Sequence, residues 1–368
     1  MTSSARPLRA RIHLDAIRHN YRYAKQLAPY SKVLAVVKAN AYGHGAVMVA
    51  QTLADIADGF AVACIDEAME LRDAGITQPI VLLEGVFNAN ELALVDRAEL
   101  SVVVHCQEQL AWLLAARPLQ KLNCWIKIDS GMHRIGFEPS DFNRVYAELR
   151  ACPHVGELVA MSHFARADEP NLPYTAQQIA VFEKTLSGLE IPRSLANSAA
   201  ILAYSNAHVE WTRPGLMLYG ASPFAEAHPL ATALRPAMTL ESALIAIRNL
   251  PAGEPVGYGG RFVSERPMRV GVVAIGYADG YPRHAPTGTP VAVNGQMTRL
   301  IGRVSMDMIT VDLTEIIDAH VGAPVELWGT TVAANAVAAA SETLAYQLFT
   351  GIGRRVAHCY EIPSTLCD

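Results

Sequence analysis

Residues 33–45 read VLAVVKANAYGHG: five apolar residues, one lysine, then small residues and glycines. The apolar part has strand length, and Lys38 falls where it stops. Working outward, runs of the same kind recur at Phe60–Cys64, Ile80–Leu83, Leu100–Val104, Cys124–Ile128, Leu158–His163, Ser194–Ala196 and Leu216–Tyr219. Between them lie stretches of helical period at Ala46–Ile56, Glu67–Ala74, Ala89–Arg97, Gln107–Ala116, Pro139–Leu149 and Ala176–Leu186. Eight such runs separated by helices is the count of a (β/α)8 barrel. The runs are continuous and not alternating because a parallel barrel buries its strands on both sides. An open doubly wound sheet would read the same way locally. The total of eight, and the lack of a G-x-G-x-x-G turn after the first strand, favour the barrel.

Beyond about Pro229 the texture changes. Met238–Arg248, Met268–Ile275, Pro290–Val293, Met297–Val304, Met308–Leu313 and Pro324–Leu327 are strand-like and separated by Gly, Pro, Asn or Asp turns. The expected fold class is therefore α/β: an N-terminal (β/α)8 TIM-like barrel over 1–230, then a mainly β domain over 231–368. The boundary falls in SPFAEAHPLATALRP (222–236), where prolines and small residues cluster. Residues 1–12, with the strand candidate Arg9–Leu14, are free to pair with the second domain.

Composition narrows the function without naming it. The chain has 368 residues, 51% hydrophobic and 18% charged, with a net charge of −5. That supports a large core and gives no global attraction to a polyanion, so nucleic acid is not an expected partner. No run of 18 apolar residues occurs, and MTSSARPLRARIHLD (1–15) lacks a secretory apolar core, so a cytoplasmic protein without membrane contact is expected. Cys64, Cys106, Cys124, Cys152, Cys359 and Cys367 are scattered without a CxxC pair and read as reduced thiols. The 12 histidines contain no HExxH arrangement, and no metal site is expected.

In a barrel, the C-terminal ends of the strands form the catalytic face. Lys38, flanked there by Val36, Val37 and Ala39, would be partly desolvated, which suits an amine for Schiff-base chemistry. An ordinary solvated lysine at a strand end is the alternative reading of this fragment alone. KANAYGHG after a hydrophobic strand resembles the pyridoxal-phosphate attachment motif of alanine racemases. KIDSGMHRIGF (127–137), SHFARADE (162–169), ANSAA (196–200), TRPGLMLYG (212–220), IGYADGYPR (275–283) and IGRVSMDM (301–308) resemble that family's segments, in order and at comparable spacing. The family fold, a barrel followed by a β domain in a head-to-tail homodimer, agrees with the reading above.

The resemblance implies a cofactor, pyridoxal 5′-phosphate, and a substrate, L- or D-alanine. Lys38 matches the Schiff-base lysine, which also serves as the base on one face of the substrate. Opposite-face chemistry needs a second group, and the resemblance assigns it to Tyr277, contributed by the other subunit. A free tyrosine titrates near ~10 and is a poor base at neutral pH, so positive charge or hydrogen bonds must assist it. His163 matches the link between that tyrosine and an arginine, and Arg213 matches the arginine facing the pyridine nitrogen. A guanidinium keeps its proton, which leaves the ring nitrogen unprotonated and weakens the electron sink.

Tyr42, Asn197, Ser198, Gly215 and Leu216 match the phosphate cradle; Ser198 as a plain helix cap is compatible with that role. Arg134, a forked donor suited to a planar carboxylate, matches the substrate-holding arginine. Lys127 matches a lysine that is carbamylated in some members, and Met306 and Asp307 match residues of the other subunit bordering the substrate. Tyr42, Tyr277, Tyr281 and Met306 would crowd the entrance and favour a small substrate. QLFTGIGRRVAHCYE (347–361) resembles the family only loosely, with Arg354 where some relatives place a phosphate-binding tyrosine. A broad-specificity racemase, a non-catalytic cofactor carrier and a decarboxylase on the same scaffold are the competing readings. The last is disfavoured because those relatives set a carboxylate against the pyridine nitrogen. Making and degrading D-alanine, including as a peptidoglycan precursor, would use one reversible reaction.

Overall fold

The computed structural model describes residues 6–361. The chain enters through a strand, β1 (Arg9–His13), and a helix over Leu14–Leu27 that no apolar run announced. Leu14, Ile17, Tyr21 and Ala24 repeat at helical spacing along its buried face. Eight parallel strands then close into a barrel: β2 (Lys32–Val36), β3 (Gly59–Val62), β4 (Ile80–Leu82), β5 (Leu100–Val104), β6 (Leu122–Lys127), β7 (Val155–Met161), β8 (Arg193–Ser194) and β9 (Trp211–Thr212). Closure comes from β2 against β9, with Lys32 opposite Trp211 and Val33 opposite Thr212.

The eighth strand is a correction. Leu216–Tyr219, expected as a strand, is a buried 3-10 turn, and the two residues of β9 close the barrel instead. An unbroken apolar run reports burial and not backbone geometry, so a buried turn imitates a buried strand. The other seven runs overlap barrel strands.

The remainder builds a mainly antiparallel sheet from β10 (Met238–Leu250), β13 (Met268–Val273), β14 (Pro290–Val293), β15 (Gln296–Ile301), β16 (Ile309–Asp312), β17 (Pro324–Trp328) and β18 (Ala357–Glu361), while β11 (Pro255–Val256) and β12 (Phe262–Val263) form a separate small pair. The order is β13-β16-β15-β14-β17-β10-β1-β18, and β10 also pairs with β13, so the sheet curls back on itself. β1 sits inside it, antiparallel to β10 and parallel to β18. The chain thus threads the second sheet before it builds the barrel, and one continuous apolar core runs through both. Residues 1–5 of the expected N-terminal pairing segment and Cys367 lie outside the described residues; the other five cysteines are free thiols. Among the described residues no helix is long and apolar enough to cross a membrane.

Candidate active site

Strand β2, buried from Val33 to Val36, delivers Lys38 to the C-terminal mouth of the barrel. The next four residues, Ala39 to Tyr42, have φ of 51–53° and ψ of 41–50°, a left-handed turn made without glycine. Each L-residue in that state costs about 1–2 kcal/mol, so the surroundings must hold it. The Glu67 carboxylate accepts the N–H groups of Ala39 at 2.7 Å and Ala63 at 2.8 Å. Asn40 accepts the Ala46 N–H at 2.8 Å, and the Val37 carbonyl accepts that of Ala41 at 2.8 Å. His44 is buried, which drives its pKa down to about 3 and keeps the ring neutral. Its Nδ1–H donates to the carbonyls of Ala41 at 3.1 Å and Tyr42 at 3.0 Å.

A cavity of about 850 Å³ opens at this mouth. Lys38, Tyr42, Lys127, Arg134, His163, Asn197, Ser198, Arg213, Gly215 and Leu216 all line it, drawn from five segments far apart in sequence. Lys127 ends β6. Two residues on, Asp129 gathers the N–H groups of Gly131, Met132 and His133 at 2.9 to 3.0 Å, and this tight turn brings Arg134 back to the mouth.

Electrostatics set this mouth apart. Lys127 is only 7% exposed, and burial, then the fields of Arg213, Arg134 and Lys38, push its amine down to about 7. Burial and the same cations, led by Arg213, hold His163 well below the usual imidazole range, so it is neutral. Burial lowers Arg213 to about 10, which leaves it charged at neutral pH. Its guanidinium donates to the carbonyls of Ser162 at 2.6 Å and Leu195 at 3.2 Å and to the Ser194 hydroxyl. Four cationic side chains therefore share the wall with one carboxylate, Glu84. Such an excess fits a site that receives anions.

The cradle for an anionic oxygen is also built. A Cβ on Gly215 would lie 2.6 Å from the Tyr42 hydroxyl, so only glycine lets that hydroxyl and the Gly215 backbone converge. Asn197 is the helix cap, accepting the Ala200 N–H at 3.0 Å. Ser198 lies one residue inside that helix, and its hydroxyl accepts the N–H groups of Gly215 at 2.9 Å and Met217 at 3.2 Å. It ties the two small-residue loops together.

The three residues expected from the other subunit do not line this chain's own cavity. Tyr277 and Met306 are neighbours on two turns of the second domain, 38% and 53% exposed, and neither lines the cavity. The Tyr277 N–H donates to Ser305 and the Ala278 N–H to Met306, each at 3.0 Å. Asp307 pairs with Arg355 at 2.8 Å, and Arg355 also meets the buried Asp279 at 2.8 Å. Tyr281, expected at the entrance, is instead fully buried and stacked on Trp328. Arg354 is exposed and does not line the cavity. The second domain sends other residues into it, Leu344, Tyr346 and Thr350, to which no expectation attached. Tyr346 tilts against Tyr42 with ring centres 5.7 Å apart. The signal was only that a tyrosine preceded the loosely matching segment.

Comparisons with known proteins agree with this geometry. The family model described as alanine racemase, N-terminal domain, matches residues 12–223, and that described as alanine racemase, C-terminal domain, matches residues 237–360. The chain is 57% identical over 350 residues to a protein of Pseudomonas putida named alanine racemase, catabolic, covering 95% of this chain and 98% of that one. It is similar to the crystal structure of biosynthetic alanine racemase from Pseudomonas aeruginosa, with TM-score 0.94, 50% identity, and 97% and 100% of the two chains covered. A structure of alanine racemase from Bartonella henselae, described as having covalently bound pyridoxal phosphate, has TM-score 0.88 and 29% identity, with 96% of this chain and 99% of that one covered.

Proposed function

The chain belongs to the alanine racemase family of isomerases, and on that premise we propose that it racemises alanine with pyridoxal 5′-phosphate by two bases. Lys38 acts on one face of Cα, and Tyr277 of the partner subunit acts on the other. The observation that carries this reading is the convergence of Lys38, Lys127, Arg134 and Arg213 around neutral His163 at one barrel mouth. The residues fit the cofactor: a lysine amine for its aldehyde, a Gly215 and Tyr42 cradle for its phosphate, and a permanent cation for its ring. When bound, the cofactor supplies an electron sink that acidifies Cα–H.

The protein's own groups do the rest. The Lys38 amine takes or returns a proton on its face. Tyr42, Ser198 and the Gly215–Leu216 backbone anchor the phosphate, with Asn197 fixing the helix end beside them. Arg213, a cation that keeps its proton, would face the pyridine nitrogen, which would restrain side reactions. Arg134 grips the substrate carboxylate. His163, neutral beside Arg213, accepts a hydrogen bond at the second base and relays that cation's influence to it.

The second base comes from a head-to-tail homodimer. Tyr277 and Met306 are exposed together outside the lining of their own chain's cavity, where a second copy can receive them, with Asp307 alongside. In this reading residues 1–230 hold the cofactor and 231–368 reach the partner, in the cytoplasm. Lys127 is carbamylated. Its amine, titrating near neutrality, attacks carbon dioxide; a C–N bond forms, a C=O pair moves to oxygen, and the ammonium proton passes to solvent. A cation thereby becomes an anion that orients Arg134. Intact mass in bicarbonate should show one added CO2, lost in Lys127→Ala; an unmodified wild-type chain overturns this.

The deciding experiment is solvent deuterium exchange into L- and D-alanine by wild type, Lys38→Ala and Tyr277→Phe. Each variant should lose exchange from one enantiomer preferentially. Unimpaired racemisation in both directions by Tyr277→Phe would sink the two-base assignment.

A further inference from the structure

The left-handed turn after Lys38 is held from two sides. The barrel side supplies Glu67, Asn40 and the Val37 carbonyl, which fix where the turn begins and ends. The remaining grip comes from the second domain of the same chain. The His358 Nε2–H donates to the Gly43 carbonyl at 2.8 Å. Phe349, on the short helix Ala345–Thr350, meets His44 edge-on with ring centres 5.1 Å apart.

His44 is the relay. Its other face stacks on Tyr219 at 4.5 Å, and Tyr219 stacks on Tyr42 at 4.9 Å. Because the His44 Nδ1–H holds the carbonyls of Ala41 and Tyr42, fixing the ring fixes those two peptide planes. Contact with the second domain is close along the whole loop: a Cβ on Gly43 would lie 2.1 Å from the Phe349 carbonyl oxygen, and one on Gly45 2.0 Å from the Tyr360 hydroxyl.

We propose that the C-terminal segment 345–360 clamps this turn in its own chain and thereby aims Lys38, with Phe349 and His358 as positioning residues. The proposal rests on the reading of Lys38 as the cofactor lysine. The second domain then serves two sites: Tyr277 goes to the partner's, and the clamp stays at home. Without the clamp four strained residues relax toward ordinary dihedrals, and the amine at their head shifts.

The test uses holoenzyme of Phe349→Leu and His358→Leu, with Phe349→Tyr and His358→Gln as variants that restore the ring and the donor. Two properties are read: kcat against KM for alanine, and the rate at which hydroxylamine strips the cofactor. Since a misplacement of about 1 Å costs on the order of 10²-fold, the leucine variants should lose at least about tenfold in kcat, with KM moving less than about twofold. Cofactor should leave them several-fold faster, and the restoring variants should recover both properties. A leucine variant with wild-type thermal midpoint, kcat and stripping rate overturns the clamp. Borohydride reduction and peptide mapping of wild type separates the two readings: label anywhere but Lys38 overturns the Lys38 assignment and the clamp with it.

Discussion

Lys32 and Lys38 stand at opposite ends of strand β2, and the two ends of the barrel treat them differently. Lys32 lies 5.1 Å over the Trp211 ring, beside a cavity of about 220 Å³ that it shares with Asp58 and Glu157. Two acidic side chains line that cavity with it. Asp58 is itself committed, to Lys25 at 2.8 Å and to the Val33 N–H at 2.8 Å, and Trp125 packs against Trp211. At the other end Lys38 shares about 850 Å³ with three more cations and one carboxylate. The mouth gathers cations that its own carboxylates do not balance, which suits it to receive anions, whereas at the base acidic residues stand close by.

That contrast can be broken in graded steps. Arg134→Gln removes the fork proposed to grip the substrate carboxylate and should raise KM for alanine by roughly 10- to 100-fold, the worth of charge-assisted hydrogen bonds. An unchanged KM in steady-state assays would remove Arg134 from the substrate site. A subtler effect follows from His163. Its folded pKa is depressed, so below the ordinary value near 6.5 the unfolded chain takes up a proton that the folded chain refuses. Stability is therefore retained above that pH and lost as pH falls through it, by roughly 1 kcal/mol between about pH 7.5 and about pH 5.5. The thermal midpoint of His163→Gln, which cannot titrate, should fall less over the same range than that of wild type. Equal slopes would mean that the imidazole protonates in place. The smallest effect belongs to the balanced end: Lys32→Met should leave kcat unchanged and cost less than about 1 kcal/mol in denaturant titrations, as for an exposed cation–π contact. A fall in kcat there would show that the two ends are coupled.

Much of the molecule was legible because its signals are local. Strand ends were readable where apolar runs met turn residues, as at Val33–Lys38, and the motifs carried Lys38, Lys127, Arg134, His163 and Arg213, which the fold gathers in one cavity. Leu216–Tyr219 misled because hydrophobicity measures burial without geometry. Tyr281 misled because an aromatic in a polar motif looks accessible until Trp328 is seen against it. Tyr346, Phe349 and His358 were invisible as site residues, since their importance lies in touching a loop some 300 positions earlier.

What the sequence determined by itself is the chemistry available: a lysine after a buried strand, cations at later strand ends, and a tyrosine, Tyr277, in a β-rich region. Tertiary structure alone decided how those groups are poised. It set Ala39–Tyr42 left-handed, lowered the Lys127 amine to about 7, and kept Tyr277 out of its own cavity. The reason is physical. Residue types fix which protons and charges exist, whereas backbone strain, desolvation and the field of distant cations arise only when segments far apart in the chain are packed together.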